Sequence, residues 1–572
     1  MMAEGWRCEQ ELILRCARLR QDAANTDRIL ELSRGGLNWS EVVAATLQHN
    51  LAPVVYERLG AVEGVPLPAE RRNMLREAVR DSSRWSLILL QELFRLHERF
   101  ESQEIPALPY KGPVLAWLAY GDFTRRACTD LDFVLPQQYI PRAASVLERA
   151  GYTPACDPRE LHAGEQPHAP GEYAFLRGVN FIRVELHTER TLRYFPVALD
   201  FDKMARRLLG VQLAGRTLRT FSAEDTLVML CVHGAKHFWD RLGWILDIAG
   251  MVSSQPVNWR SALQIAAGLK STRVFLLGLS LAHDLLDAPL PESVLEQVRQ
   301  DSKVRWLARR VCDPLAGRAK PSAGVFRRTT FRLRSRDEFA RGLLHMARLA
   351  LSPTESDRGA VGLPARFSFL YFLVRPWRLL RQYGLGLRGP QAEPDLGIFD
   401  ATSPEVAERM LSLAETGPGD VVYDLGSGDG AIVVTAAEKY GIPGVGIDIH
   451  PQRIAEARAK ARKHGVEART KFLLQDAKTA DISEATVVTL YTSAAGNLKL
   501  VDRLREQLRP GARIVSRNFQ IFGWPADQCV KHVTPQGAPT YLYLWKVKEP
   551  REKGLAREET AEAMEHSASE KA

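Results

Sequence analysis

Nothing in this 572-residue sequence approaches the roughly 20 consecutive apolar residues of a membrane-spanning helix. The opening residues, MMAEGWRCEQELILRC, carry acids and arginines where a secretory signal needs an apolar stretch, so a cytoplasmic protein is expected. Cysteine is sparse as well. Its seven copies, Cys8, Cys16, Cys128, Cys156, Cys231, Cys312 and Cys529, are scattered, odd in number and form no C-x-x-C pair. That pattern indicates neither a disulfide framework nor a zinc knuckle, and free thiols are expected. No internal repeat is visible. Aromatic and basic residues are not interleaved on a recognisable sheet motif, which argues against a nucleic-acid partner. The net charge of +9 is modest for the length. Arginines do crowd 327–341 and 375–384, where a solvated helix face is favoured over an anionic partner.

What remains is an ordinary globular composition, 45% apolar and 25% charged, long enough for about three or four domains. Residues 1–104 read as helical, with apolar positions three and four apart in LNWSEVVAATLQHNLAPVVYERL and RWSLILLQELFRLHERF. Residues 105–221 turn strand-rich, alternating polar and apolar residues in DLDFVL and NFIRVELH. From Ser222, a plausible N-cap, helices return through AEDTLVMLCVHGAKHFWDRLGWILDIAGMV and occupy 222–351. A proline- and glycine-broken linker is expected over 352–395, an alternating α/β domain over 396–548 and a disordered charged tail over 549–572.

Two acids in RRACTDLDFVL raise the first chemical question. In a strand, Asp130 and Asp132 point the same way while Leu131, Phe133 and Leu135 point into the core. Two neighbouring carboxylates repel unless a cation neutralises them, and Mg²⁺ held by carboxylates and substrate phosphates is the usual solution. In NFIRVELH, Arg183, Glu185 and His187 share one face, so Glu185 offers a third acid. Three carboxylates on adjacent strands suit two-metal phosphoryl chemistry.

LPYKGPVLAWLAYGDFTRRACTDLDFVL, VELHTE and CVHGAKHFWDRLGWILDIAGMV occur in an order that resembles the bacterial family of uncharacterised nucleotidyltransferases, over about Glu11 to Tyr383. The resemblance implies that Asp130, Asp132 and Glu185 are the catalytic, metal-binding carboxylates. It implies that Lys111 and Gly112 stand where related transferases hold a triphosphate with Gly-Ser, and that Arg125 adds a phosphate contact. A nucleoside triphosphate with Mg²⁺ would then be the ligand. His233 and His237 share a helix face; a polar network lining the nucleotide cleft is favoured over a metal site, and simple helix packing stays open.

The second motif is VVYDLGSGDGAIVVTAA, read as strand, turn and helix, with Gly426, Gly428 and Gly430 freeing the backbone to approach a ligand. The spacing is G-x-G-x-G after an acid, and the next strand, GVGID, ends in Asp448. This combination resembles the class I S-adenosylmethionine-dependent methyltransferases. In that fold Asp424 lies by the methionine end of the cofactor, Asp448 accepts the ribose hydroxyls and Asp476 reaches the adenine amino group. From Phe399 to about Val547 the resemblance is to the branch containing the lysine methyltransferases of the ATP synthase c-subunit. Ala431 replaces a usual arginine, and YTSAAGN replaces a more apolar, proline-containing stretch. Tyr491 and Asn497 border the expected acceptor position.

The expected fold class is α/β multidomain, a nucleotidyltransferase-like α+β unit with helical flanks followed by a Rossmann-like methyltransferase domain. The expected function is a bifunctional two-domain transferase whose methyl acceptor, protein lysine or a small molecule, is open. The alternative keeps the methyltransferase and makes the N-terminal part a non-catalytic nucleotide- or substrate-binding module.

Overall fold

The computed structural model describes residues 6–154, 161, 171–177, 182–188, 199–317, 325–337, 401–521, 524, 526–533 and 539–548. The expected linker at 352–395, the arginine stretch at 375–384, the charged tail and Cys156 lie outside the described residues. The chain divides into two compact units, Met1–Asp395 and Leu396–Ala572. No described helix is long and apolar enough to cross a membrane.

In the first unit, four short helices lead into the long helix Ala69–Ser102. Asp22 and Asn38 start two of the short helices by accepting backbone N–H bonds in their first turns. The sheet that follows has strands β1 (Leu108–Pro109), β2 (Asp130–Val134), β3 (Thr153–Pro154), β4 (Glu172–Arg177) and β5 (Ile182–His187), ordered β1-β2-β5-β4-β3. Only β2 and β5 run parallel, with Asp132 opposite Glu185 and Val134 opposite His187. Glu92 fastens the long helix to the sheet, accepting from Arg177 at 2.7 Å and Tyr152 at 2.7 Å. A hairpin, β6 (Leu209–Leu213) with β7 (Arg216–Thr220), precedes the second helical region.

Ser222 caps the helix Ala223–Lys236 by accepting from Asp225 N. The helical stretch through Val252 is two helices, the second being Leu242–Ser254. The break has a steric origin. Phe238 and Trp239 take positive φ, and the Trp239 indole folds back onto Gly234, where a Cβ would lie 2.3 Å from the ring.

The second unit is a seven-stranded sheet of β8 (Val422–Leu425), β9 (Gly444–Asp448), β10 (Thr470–Leu474), β11 (Val487–Leu490), β12 (Arg513–Arg517), β13 (Gln528–Val533) and β14 (Pro539–Lys546). The order is β10-β9-β8-β11-β12-β14-β13. Strands β8 to β12 are parallel, and β14 joins antiparallel to both β12 and β13. One face buries Val406, Met410, Ile432, Val487, Val515 and Leu542; a second cluster holds Val433, Ile454, Ala457 and Phe472. Strand order reverses between β8 and β11, and ligands bind at the carboxyl ends of the strands at such a point in sheets of this kind.

Candidate active sites

The parallel pairing of β2 with β5 places Asp132 and Glu185 side by side on one face, as the alternation in both strands requires. Both are buried, and so is His187, two residues beyond Glu185. His187 Nε2 lies 2.7 Å from Asp132 Oδ1 and 3.5 Å from Glu185 Oε2. Asp132, Glu185 and His187 each offer a ligand atom, all within 4.8 Å of one another. That donor set can hold a divalent cation. Asp130 stands apart from this group, at the half-buried start of β2, where Thr129 Oγ1 donates to it at 3.2 Å. Burial and the neighbouring Asp132 carboxylate push its carboxyl up to about 6.

Lys111, also buried, reaches into the cluster, with Nζ 3.2 Å from Asp132 Oδ1. Burial opposes the ionisation of Asp132, but the Lys111 ammonium and the hydrogen bond from His187 outweigh it and hold the carboxyl below the usual range. Lys111 in turn is held above the ordinary lysine value, the Asp132 charge overcoming the cost of burial. Gly112 lets this turn sit against the strand. Its φ is +56°, and a Cβ there would lie 3.1 Å from the Asp130 carbonyl.

Arg125 and Arg126 differ in placement. Arg125 is exposed and pairs with Glu57, so the structure does not bring it onto the carboxylates. Arg126 is the neighbour whose charge acts on Asp130, and it pairs with buried Asp247 at 2.9 Å. Residue spacing in the loop cannot distinguish the two. His233 and His237 lie 4.8 Å apart with their rings tilted, and both rest on Trp244. Burial, with the nearby Lys111 charge, pushes His233 well below its usual value. His187, Arg126 and Glu172, which pairs with Lys236 at 2.7 Å, are site residues that the sequence pattern left unassigned. For His187 the signal was its place on the Glu185 face.

In the second unit, Asp424 is the penultimate residue of β8 and Asp448 ends β9. Asp424 is buried, accepts from Thr489 Oγ1 at 2.8 Å and has no cation beside it among the described residues. Burial pushes it up to about 7, and the Asp448 charge adds to the effect. The Asp448 carboxylate accepts from Gly428 N at 2.9 Å and His450 N at 2.8 Å, which fixes its orientation. Gly426, Gly428 and Gly430 all have positive φ. Above Gly426 there is space, since a Cβ would meet only Thr492 at 3.5 Å. Ser427 Oγ is buried in this turn with no hydrogen-bond partner among the described residues.

The half-exposed Asp476 lies two residues past β10, its carboxylate turned by Lys478 N at 2.9 Å. Gln475 N bonds the Asp448 carbonyl, joining the ends of β9 and β10. Among the described residues, then, this end of the sheet holds a buried acid without a cation, Asp424, and a buried hydroxyl without a partner, Ser427, a donor set that fits a cationic, hydroxyl-bearing cofactor. Tyr491 follows β11, with the Arg517 guanidinium 4.0 Å from its ring centre. Asn497 is instead wholly buried. It accepts from Thr492 Oγ1 at 2.7 Å and donates to Ser516 Oγ at 3.1 Å and Phe519 O at 3.0 Å. Its amide braces the ends of β11 and β12.

The sheet order, the glycine turn and the acids at consecutive strand ends define an S-adenosylmethionine-dependent methyltransferase of class I. The ANTKMT methyltransferase domain family matches residues 424–528. A protein-lysine N-methyltransferase of Saccharolobus islandicus (strain REY15A) is 41% identical over 131 residues, 23% of this chain and 81% of that protein. The Homo sapiens lysine N-methyltransferase of the ATP synthase c-subunit is 31% identical over 145 residues, 25% of this chain and 59% of the human protein. Through its second unit the chain belongs to the methyltransferase family that contains these two proteins. A solved RNA methyltransferase from Salinibacter ruber, in complex with S-adenosyl-L-homocysteine, is 43% identical; 27% of this chain covers 99% of that one, with a TM-score of 0.25. In the first unit, the family described as uncharacterised nucleotidyltransferase matches residues 35–287.

Proposed function

We propose that the second unit transfers a methyl group from S-adenosylmethionine to a lysine side chain of a protein. The observation that carries the chemistry is the buried, cation-less Asp424 beside the open Gly426 turn, with Asp448 oriented on the next strand. In this reading Asp424, Gly426, Gly428, Gly430, Asp448 and Asp476 hold the cofactor, which supplies an electrophilic methyl group without help from a metal. The lysine acceptor is supported by the 41% identity to a protein-lysine N-methyltransferase. An amine attacks only when neutral and aligned. Arg517, stacked on Tyr491, is a fixed positive charge at the strand ends and favours the neutral form of an amine beside it. Tyr491 borders the acceptor, while Asn497 holds the loops that shape the opening.

The first unit, in the same proposal, binds a nucleoside triphosphate with a divalent cation and transfers its nucleotidyl group. Asp132 and Glu185 would hold the metal, which would neutralise charge on the phosphoryl group. Asp130, Lys111 and Gly112 would face the phosphates, and Arg125, bound to Glu57, would reach them only by leaving that partner. A non-catalytic binding module is the competing reading, favoured by the way the Lys111 ammonium already neutralises Asp132 and His187 already contacts it.

Purified protein incubated with methyl-labelled S-adenosylmethionine and a host extract tests the methyl acceptor. A labelled protein whose digest contains methyl-lysine is expected, and label confined to small molecules would remove the lysine claim. Labelled nucleoside triphosphates in the same extract separate the catalytic first unit from the binding module.

A further inference from the structure

We propose that Asp132, Glu185 and His187 form a mixed carboxylate–imidazole site that prefers a nitrogen-accepting divalent cation, such as Fe²⁺, Co²⁺ or Zn²⁺, over Mg²⁺. The inference rests on the reading that this cluster holds a divalent cation. It does not require nucleotidyl transfer.

The ligand set differs from the one alternation alone implies. Asp130 and Asp132 share a face, yet the compact set comprises Asp132, Glu185 and His187. The register explains why. Asp132 is opposite Glu185, and His187 is opposite Val134, one same-face step further along the pair. From there the imidazole leans back, so that Nε2 sits between the two carboxylates at 2.7 and 3.5 Å. Donors around a cation with bonds of about 2.0–2.2 Å lie roughly 3.0–3.5 Å apart, so these separations are close to those of one coordination sphere.

The polar function of the ring is turned wholly to the cluster. Among the described residues Nδ1 has no hydrogen-bond partner, and Tyr110 meets the ring edge-on at 5.7 Å. Mg²⁺ takes oxygen ligands and dehydrates reluctantly, whereas imidazole suits the later divalent metals. A buried nitrogen donor therefore biases the site against Mg²⁺.

Lys111 adds a second element. Its ammonium, 3.2 Å from Asp132 Oδ1, neutralises the same oxygen that a cation would use. Metal and ammonium compete for Asp132, so Lys111 has to give way on metal entry, and removing its charge should tighten metal binding.

The test is Co²⁺ and Mg²⁺ binding to the full chain without nucleotide, read by calorimetry and by the visible absorption of Co²⁺. Wild type should bind Co²⁺ with a band characteristic of nitrogen ligation, and more tightly than Mg²⁺. His187→Ala should lose the band and at least about tenfold in Co²⁺ affinity. Lys111→Met should gain affinity, an outcome that a misfolded chain cannot mimic. If His187→Ala binds Co²⁺ and Mg²⁺ as wild type does, the imidazole is not a ligand, and an all-carboxylate site with Asp130 survives. If wild type binds neither ion, both this site and the cation reading fall, whatever the methyltransferase assay shows.

Discussion

At the scale of single residues, the most informative group is Asp424. Its carboxyl is pushed up to about 7, chiefly by burial, against an ordinary value near 3.8. A carboxyl with a raised folded-state value binds its proton more tightly in the folded chain than in the unfolded one. It favours folding when protonated, and stability falls as pH rises from about 4 through about 7. Asp424→Asn keeps the shape and the Thr489 bond but removes this titration. In cofactor-free protein the variant should melt several degrees above wild type at pH 8 and by well under half as much at pH 5. Equal melting temperatures at both values would show that Asp424 is not held against its charge. Adding S-adenosylmethionine should reverse the order at pH 8, because the cofactor's ammonium would pair with the wild-type carboxylate. Asp448 makes a complementary prediction. Its removal in Asp448→Ala should weaken cofactor binding by about 1.5–3 kcal/mol, roughly ten- to a hundredfold by calorimetry. The same change frees Gly428 N and should lower the melting temperature, which Asp448→Asn should do less.

At the scale of elements, the glycine turn and the paired strands show what a sequence can and cannot reveal. Gly430 has φ +77°, and a Cβ there would lie 2.8 Å from Ala457 and from the Phe472 ring. Gly426 has φ +87° but open space above it. Both substitutions to alanine incur the left-handed backbone cost of about 1 kcal/mol, and only Gly430→Ala adds a clash with the second apolar cluster. Gly430→Ala should therefore lower the melting temperature markedly more. Gly426→Ala should act mainly on cofactor affinity, and calorimetry beside a thermal melt separates the two effects. The turn was legible because its glycines are local, as was the β2 strand, whose period of two is written in five residues. The partners of those residues were not legible. Lys111 meets Asp132 only after an intervening helix and loop return the chain to the sheet. His187 reaches Asp132 through register with a parallel strand, which alternation places on a face but not at a depth. The place of the turn between Lys236 and Leu242 was hidden for a similar reason. Its apolar residues suit a continuous helix, and only the packing of Trp239 on Gly234 reveals the break.

At the scale of the whole molecule, the question is whether two units with separate cores also respond separately to ligand. Residues Met1–Asp395 and Leu396–Ala572 form distinct compact units. The second contains its own apolar clusters, from Val406 to Leu544 and from Val433 to Phe472. Each unit thus has the core that independent folding requires. A ligand that binds only one folded unit stabilises that unit by about 2.7 kcal/mol at a hundredfold excess over its dissociation constant. In a unit of this size that corresponds to about 5–10 °C in melting temperature. Calorimetric melting of the full chain should accordingly show two transitions. S-adenosylmethionine should raise one of them, and Asp448→Ala should cut that rise by about half or more without moving the other. Co²⁺ should raise the other, and His187→Ala should abolish its effect alone. A fragment beginning at Leu396 should reproduce the S-adenosylmethionine-responsive transition by itself. A single transition that both ligands shift together would mean that the units unfold as one, and the fragment would then fail to bind the cofactor.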